Sequence, residues 1–269
     1  PEGLTDAGVV MFLEVIDPML FAGMLVAFFA SGMTAYAGFG GALVMVPLFT
    51  LMIGPVQAIA LTGLCSAVAL FHLVPGQLRL VRWKEAPPLV AGLLVAISLS
   101  SGFLVKADPA FVRLCIGAFV LLAAFILIRD LRYKGPRGPV PSFGIGTVTG
   151  VIMGGAGVPA GPVMVIYYLA APEPPSVQRA NIMVSVWLLL VIMLANLLMR
   201  DAIMAKTAIS GVFIAPASII GASFGQYLFK RAPVTWFKTF AHGLLVVIGI
   251  SMLAQANMSK DVILSLVQG

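Results

Sequence analysis

Long apolar runs alternate with short polar stretches along almost the whole chain, and glycine, proline and charged residues mark the boundaries between them. A helix that crosses the hydrocarbon core of a bilayer needs about 20 mostly apolar residues. On this basis the pattern predicts ten helical segments. They lie at residues 19–36, 42–53, 56–74, 87–105, 111–128, 143–153, 158–171, 177–198, 207–229 and 236–253.

Composition places these segments in a membrane. Of the 269 residues, 61% are hydrophobic and 10% are charged, and the mean hydropathy is +1.08. An ordinary soluble domain has about a quarter charged residues, so a water-soluble fold could not bury this much apolar surface. We therefore expect an all-α polytopic membrane protein whose partner is the lipid bilayer, with no room for a separate soluble domain.

The second and seventh segments are unusually short. At 1.5 Å per residue, residues 42–53 cover roughly 18 Å of a ~30 Å hydrocarbon core. Each short segment follows a glycine-rich run, Gly38-Phe39-Gly40-Gly41 in one case and Gly154-Gly155-Ala156-Gly157 in the other. We expect two half-helices that begin at breaks inside the membrane.

The two glycine runs predict an internal repeat. Thr62 follows Gly40 by 22 positions and Asn181 follows Gly157 by 24, with Pro55 and Pro174 at the intervening turns. The predicted first repeat is 18–130 and the second is 141–254, joined by a basic loop at 131–140. With five segments in each half, the two repeats would be inverted with respect to the membrane.

The net charge of +6 comes from basic residues that are scattered between apolar runs, so no contiguous face for nucleic acid is predicted. If all ten segments cross, 11 of the 16 lysine and arginine residues lie on one face, which the positive-inside rule makes cytoplasmic. Both termini would then be periplasmic. If the short segments are re-entrant the division is 10 against 6, so the sequence leaves the topology open.

The glycine breaks are the predicted binding site. Irregular backbone at membrane depth is tolerated where it lines a cavity, and the free amides at a helix start attract anions. The alternative is that the glycines only allow helices to pack closely. Every acidic residue falls at a segment end or in a loop, which argues for an anionic or neutral substrate. The predicted substrate-binding residues are Gly38, Gly40, Gly41, Thr62, Ser66, Gly155, Gly157, Arg179, Asn181 and Ser185.

Three of these predictions have open alternatives. Serine and threonine hydroxyls inside helices commonly bond their own helix carbonyls. Arg179 either caps a substrate anion or lies at the membrane interface beside Glu173. His72 either couples transport to protons, as histidine side chains can, or is a packed, hydrogen-bonded residue.

The sequence predicts no cofactor and no metal, because Cys65 and Cys115 each lie in an apolar run without a second cysteine at ligand spacing. It contains no phosphate-binding GxxxxGK[ST] run, so ATP does not drive this chain directly. The rival hypotheses are an intramembrane enzyme, which would need clustered His, Asp, Glu or Cys residues, and a channel or scaffold subunit.

The run GFGGALVMVP at 38–47, followed by Pro55, Ala58 and Thr62 and echoed from Gly154 to Asn181, resembles the TauE/SafE family of sulfite exporters and organosulfonate permeases. The resemblance implies a secondary transporter of sulfite or of organosulfonates such as sulfoacetate in the bacterial inner membrane. Alternating access around a site between the repeats is the expected mechanism. The second copy departs from the family pattern at Val158-Pro159 and at Asn181. Direction, coupling ion and oligomeric state stay open.

Overall fold

The computed structural model describes residues 18–129, 131, 133–229, 231, 243 and 246–252. All regular secondary structure in these ranges is helical. In chain order the helices are α1 (Pro18–Ala37), α2 (Gly41–Ile53), α3 (Pro55–Phe71), α4 (Val74–Gln77) with a 3-10 turn (Leu78–Leu80), α5 (Ala86–Lys106), α6 (Pro109–Ile128), α7 (Pro139–Ala156), α8 (Gly161–Leu169), α9 (Pro175–Met199) and α10 (Ala205–Phe229). Residues 243 and 246–252 are also helical.

Proline opens most of these helices. It stands in the first turn of α3, α6, α7 and α9, where its fixed φ suits a helix and its missing N–H would have no partner in any case. Asp108 adds a cap to α6, because its side chain accepts a hydrogen bond from the Ala110 amide at 2.8 Å. The turn residues read from the sequence therefore set the helix boundaries.

The described helices confirm a multi-pass membrane protein. α1, α5, α6, α9 and α10 are each long and apolar enough to cross a bilayer. If α3 and residues 74–80, which meet α3 at a 62° bend, are counted as one span, they form a sixth crossing. The predicted number of ten crossings goes beyond this observation and stays a prediction, and most of the tenth segment lies outside the described residues.

The predicted short segments are short helices, of 13 residues in α2 and 9 in α8. Some boundaries differ from prediction. The third segment is not one straight helix to residue 74, because α3 ends at Phe71 and α4, with Pro75 in its first turn, begins at Val74 after a 62° bend. The seventh segment begins at Gly161 rather than at residue 158. The helix α7 begins at Pro139, inside the stretch predicted as the loop between the repeats.

The most extensive helix contacts are those of α1 with α10 and of α5 with α7. Glycines make both contacts close. A Cβ atom on Gly225 would collide with the backbone of Gly32, and one on Gly146 would collide with the backbone of Leu89. Close packing of small residues is therefore what joins these helices.

Large apolar side chains also cover the outside of the described bundle. Phe29 is 66% exposed and Leu99 is 80% exposed, whereas Tyr167 and Tyr168 are fully buried. Large apolar groups on the outside are the surface expected for a protein embedded in lipid, where the hydrocarbon supplies the apolar contacts.

Candidate functional site

The two short helices begin at one small cavity in the centre of the bundle, which we call the central cavity. Gly40 and Ala42 contribute from the start of α2, and Gly161 and Pro162 contribute from the start of α8. The remaining lining residues are Phe39, Leu43, Met153, Pro159, Val186, Leu189 and Leu190. The cavity has room for about one water molecule. The starts of the two short helices, far apart in sequence, thus meet at one place.

The first break depends on backbone angles that favour glycine. Gly38 has φ of 88° and Gly40 has φ of 103°, both in the left-handed region where a side chain is strained. The Gly38 amide donates to the Thr34 carbonyl at 2.7 Å, and the Gly41 amide donates to Thr34 Oγ1 at 3.0 Å. Thr34 Oγ1 in turn donates to the Ala30 carbonyl at 3.2 Å. Thr34 therefore holds the end of α1 against the start of α2.

The second break has a different geometry. Gly157, with φ of 67°, caps the end of α7, and Gly161 and Pro162 begin α8 after the intervening residues 158–160. Gly155 and Gly157, which were predicted to bind substrate, are not among the residues that line the central cavity. A Cβ on Gly157 would lie 2.8 Å from Ile59 Cδ1, so this glycine permits close packing.

The residues of the second half that reach the cavity are therefore Pro159, Gly161 and Pro162, which the sequence analysis did not select. A signal for them was present. A glycine followed by proline is typical of the first residues of a helix, because proline prefers that position. Reading the helix start, rather than the glycine run, would have located this side of the cavity.

Helix geometry makes the central cavity attractive to anions. The first amides of a helix have no acceptor within the helix, and the aligned peptide dipoles give that end a partial positive charge. Two such ends face the cavity, whose side chains are apolar. The described carboxylates, Glu85, Asp108, Glu173 and Asp201, all lie at helix ends or in loops. The polarity at this cavity thus comes from the helix ends, where the Gly41 amide donates to Thr34 Oγ1 and the Val163 amide donates to the Ala160 carbonyl in this structure.

Thr62 and Ser66 lie on α3, and both are buried. Among the described residues, none is a hydrogen-bond partner of Thr62 Oγ1, although Thr62 is fully buried. A buried hydroxyl without a partner costs free energy, which makes Thr62 an available donor close to the bundle centre. Neither residue lines the central cavity in this structure.

Asn181 and Ser185 lie on α9 and have protein partners. Asn181 Oδ1 accepts a hydrogen bond from the Arg82 amide at 2.8 Å, while no described residue bonds its Nδ2. Ser185 Oγ lies 3.0 Å from the Tyr168 hydroxyl. Neither residue lines the central cavity. Asn181 keeps one free donor, and Ser185 is bonded within the core.

Arg179 caps the end of α1. Its Nε donates to the Tyr36 carbonyl at 3.2 Å, its Nη2 donates to the Ala35 carbonyl, and its guanidinium lies 4.1 Å from the centre of the Phe229 ring. Its position beside Gly38 places it at the first break. The expected neighbour Glu173 instead pairs with Arg82 at 2.7 Å. In this structure Arg179 therefore donates hydrogen bonds to the carbonyls at the end of α1.

His72 lies at the end of α3 and is exposed. Its Nε2 is 3.4 Å from the Ser223 hydroxyl. This position is at the outer surface of the described bundle rather than beside the central cavity. Proton coupling through His72 stays a prediction.

Two clefts lie at opposite ends of α9. The first, which we call the apolar cleft, has a volume of about 290 Å³. Its lining residues are Met19, Leu20, Gly23, Phe49, Met52, Ile53, Gln57, Leu61, Met204, Lys206, Thr207, Ser210 and Ile214. The second, which we call the basic cleft, has a volume of about 380 Å³ and is lined by Arg82, Lys84, Glu85, Arg137, Gly138, Pro139 and Pro172.

The length of α9 separates the two clefts. Pro172 precedes the first residue of this helix and Met204 follows its last, and 25 helical residues span about 38 Å. Val186, Leu189 and Leu190, which line the central cavity, lie near the middle of α9. The central cavity is therefore between the two clefts along this helix.

Polar contacts tie the walls of both clefts together. In the basic cleft, Arg137 Nη2 lies 2.6 Å from Glu85 Oε2, and Arg137 Nη1 donates to the Tyr167 carbonyl at 2.6 Å. At the apolar cleft, Gln57 Nε2 donates to the Ala202 carbonyl at 2.9 Å, and its Oε1 accepts from Thr207 Oγ1 at 2.7 Å. The sequence analysis missed Glu85, Arg137 and Gln57, because such long-range pairs leave no periodic signal in the chain.

Comparison with known families places the chain. A family model described as "Sulfite exporter TauE/SafE" matches residues 23–252, which is nearly the whole chain. The protein therefore belongs to the TauE/SafE sulfite exporter family, as the resemblance at the glycine-rich motifs predicted. Searches of curated proteins and of solved structures found no match.

Proposed function

We propose that this member of the TauE/SafE sulfite exporter family is a secondary transporter of small sulfur-containing anions, either sulfite or an organosulfonate such as sulfoacetate. Family membership supports the transporter class and the sulfur anion. The described helices support a multi-pass membrane protein. The bacterial inner membrane is the location that the family resemblance implies, and the charge distribution favours a cytoplasmic basic face with periplasmic termini.

The observation that carries the proposal is the meeting of two helix starts at one central cavity. The starts of α2 and α8 both face this cavity, and each supplies the positive end of a helix dipole. Discontinuous helices that point their amino ends at an anionic group are a recurrent arrangement in secondary transporters. An anion can be held there by partial charges and hydrogen-bond donors and still be released.

We also propose that the two halves are inverted repeats. Exchange of α1, α2, α3 and α5 with α7, α8, α9 and α10 maps the close α1–α10 contact onto the close α5–α7 contact. The same exchange relates two reciprocal bonds between the halves. Gln57 of α3 bonds the chain before α10, and Asn181 of α9 bonds the chain before α5. This pairing supports ten segments in two halves of five.

Alternating access is the mechanism in this proposal. The central cavity has room for about one water, which is too little for sulfite, so in this mechanism α2 and α8 separate when substrate enters. Relative movement of the two halves would connect the cavity to the apolar cleft or to the basic cleft. As the helices part, the free donors of Thr62 and Asn181 become available to substrate oxygens. Arg179, released from its carbonyls, is a third ligand in this proposal.

Uptake by proteoliposomes tests the proposal. Purified protein should take up labelled sulfite, sulfoacetate or taurine at a rate that saturates with concentration, whereas empty liposomes should not. Flux that rises linearly without saturation would indicate a channel. Absence of flux for all three compounds, together with absence of thermal stabilisation by any of them, would reject the substrate class. Chemical conversion of the compound would favour the intramembrane enzyme.

A further inference from the structure

The basic cleft contains a carboxylate held between two guanidinium groups. Glu85 is 3% exposed. Its Oε2 lies 2.6 Å from Arg137 Nη2, and its Oε1 lies 3.9 Å from Arg82 Nη1. Arginine forks recognise carboxylates and other oxyanions by the same geometry. The cleft is therefore already built to hold an oxyanion, and the protein's own carboxylate occupies that position.

The basic cleft also contains a positive charge that pairs with no described carboxylate and an N–H donor that has no described acceptor. Glu173 pairs with Arg82 at 2.7 Å. No described carboxylate lies within ion-pairing distance of the exposed Lys84, and no described residue accepts a hydrogen bond from the buried Arg137 Nε. Three cations thus face two carboxylates, with one ammonium group and one guanidinium N–H left free.

We propose that the basic cleft is a second oxyanion-binding site, at which a small sulfur oxyanion binds Arg137 and Lys84 and displaces the Glu85 carboxylate from Arg137. The ligand class rests on the proposed function, but the site does not, since it is separate from the central cavity. The cleft volume of about 380 Å³ accommodates such an anion. Nothing covalent changes, because one oxyanion replaces another on the same guanidinium.

Displacement of Glu85 would also change how the helices are held. Glu85 immediately precedes α5, and Arg137 bonds both Glu85 and the Tyr167 carbonyl in α8. The Arg137 guanidinium also lies 4.3 Å from the centre of the Tyr167 ring, which adds a cation–π contact between Arg137 and α8. Arrival of an anion at the cleft would release the start of α5 from α8. Anion binding at the basic cleft would thereby loosen α8, whose first residues line the central cavity.

Sulfate binding to the purified full-length protein tests this site. Sulfate is titrated at constant ionic strength against chloride, and binding is followed by calorimetry and by thermal stabilisation. Lys84→Gln should weaken sulfate binding about tenfold, and Glu85→Gln, which removes the competing carboxylate, should strengthen it about tenfold. The double variant Glu85→Gln/Arg137→Gln, which removes both members of the ion pair together, should lose the site. The matched control is Lys206→Gln, which removes the same charge at the apolar cleft and should leave binding unchanged.

The outcomes separate this site from the central cavity. In a Gly40→Leu background, in which the central cavity is blocked, the Lys84-dependent sulfate binding should persist. If the Lys84-dependent sulfate binding persists but the parent protein transports none of the tested compounds, the basic cleft is supported and the proposed function is rejected. If the parent protein transports but shows no Lys84-dependent sulfate binding, the proposed function is supported and the second site is rejected. Equal losses in Lys84→Gln and Lys206→Gln, or wild-type affinity in both Lys84→Gln and Glu85→Gln, would overturn the second site. If Glu85→Gln does not fold, the comparison of Lys84→Gln with Lys206→Gln decides.

Discussion

Gly40 has a backbone conformation that favours glycine and also lies at the proposed binding site. Its φ of 103° is strained for any side chain, and a Cβ there would lie 2.6 Å from Met33 Cε. Gly40 also lines the central cavity. A side chain at this position would both strain the break and fill the proposed binding site.

We expect Gly40→Leu to abolish saturable uptake of sulfur anions in proteoliposomes. Gly54→Leu is the matched control, because Gly54 has a similar positive φ of 84° but no atoms within 4 Å of its Cβ position. Both variants place a side chain at positive φ, at a cost of about 1–3 kcal/mol each. Equal transport by the two variants would show that the first break does not bind substrate.

A substitution at Thr62 should affect protein stability and substrate binding in opposite directions. Thr62→Val removes a buried hydroxyl that has no described partner and keeps the side-chain shape. Stability should stay the same or rise by about 1–3 kcal/mol, because an unsatisfied polar group is removed. Substrate-induced thermal stabilisation should fall. Thr50→Val, at another buried unpartnered threonine in α2, should keep that stabilisation.

A Thr62→Val protein that is stabilised by substrate as strongly as the parent would remove Thr62 from the site. At this scale the sequence indicated the residue types but not their partners. Asn181 and Arg179 were predicted as substrate ligands, and the structure gives them the Arg82 amide and the carbonyls of α1 as partners. Those bonds join residues about 100 or more positions apart, which local sequence patterns cannot reveal.

Helix lengths and helix starts were more accessible to prediction than helix contacts. The two short helices followed from span length and composition, since an apolar run too short to cross a bilayer is visible in the sequence. The bend after α3 was missed, although Pro75 marks it. Of the two predicted glycine breaks, the first lines the cavity with Gly40, whereas residues 154–156 of the second belong to α7 and Gly157 packs closely against Ile59. Substrate binding at these glycines stays a prediction.

The α5–α7 contact gives a paired test on one helix. Gly146→Ala places a methyl group against the Leu89 backbone and should destabilise the protein by about 1–3 kcal/mol. Gly144→Ala, two residues earlier with open space around it, should stabilise α7 by up to about 1 kcal/mol through helix propensity. Thermal unfolding in detergent measures both. Similar melting temperatures for the two variants would contradict the close packing of α5 on α7.

On the scale of the whole molecule, the chain is organised as two clefts with a small cavity between them. The apolar cleft and the basic cleft lie at opposite ends of α9, and the central cavity lies near its middle. The sequence predicted the two short helices. It could not predict that their starts share one cavity, because this depends on how distant parts of the chain pack against each other.

The central claim is that the starts of α2 and α8 together hold the transported anion. A structure of the purified protein with bound sulfite or sulfoacetate tests it most directly. The account predicts density for the anion between Gly40 and Gly161, in a central cavity enlarged by separation of the two short helices. Density for the anion elsewhere in the bundle, with both helix starts still closed around a cavity of the present size, would contradict it.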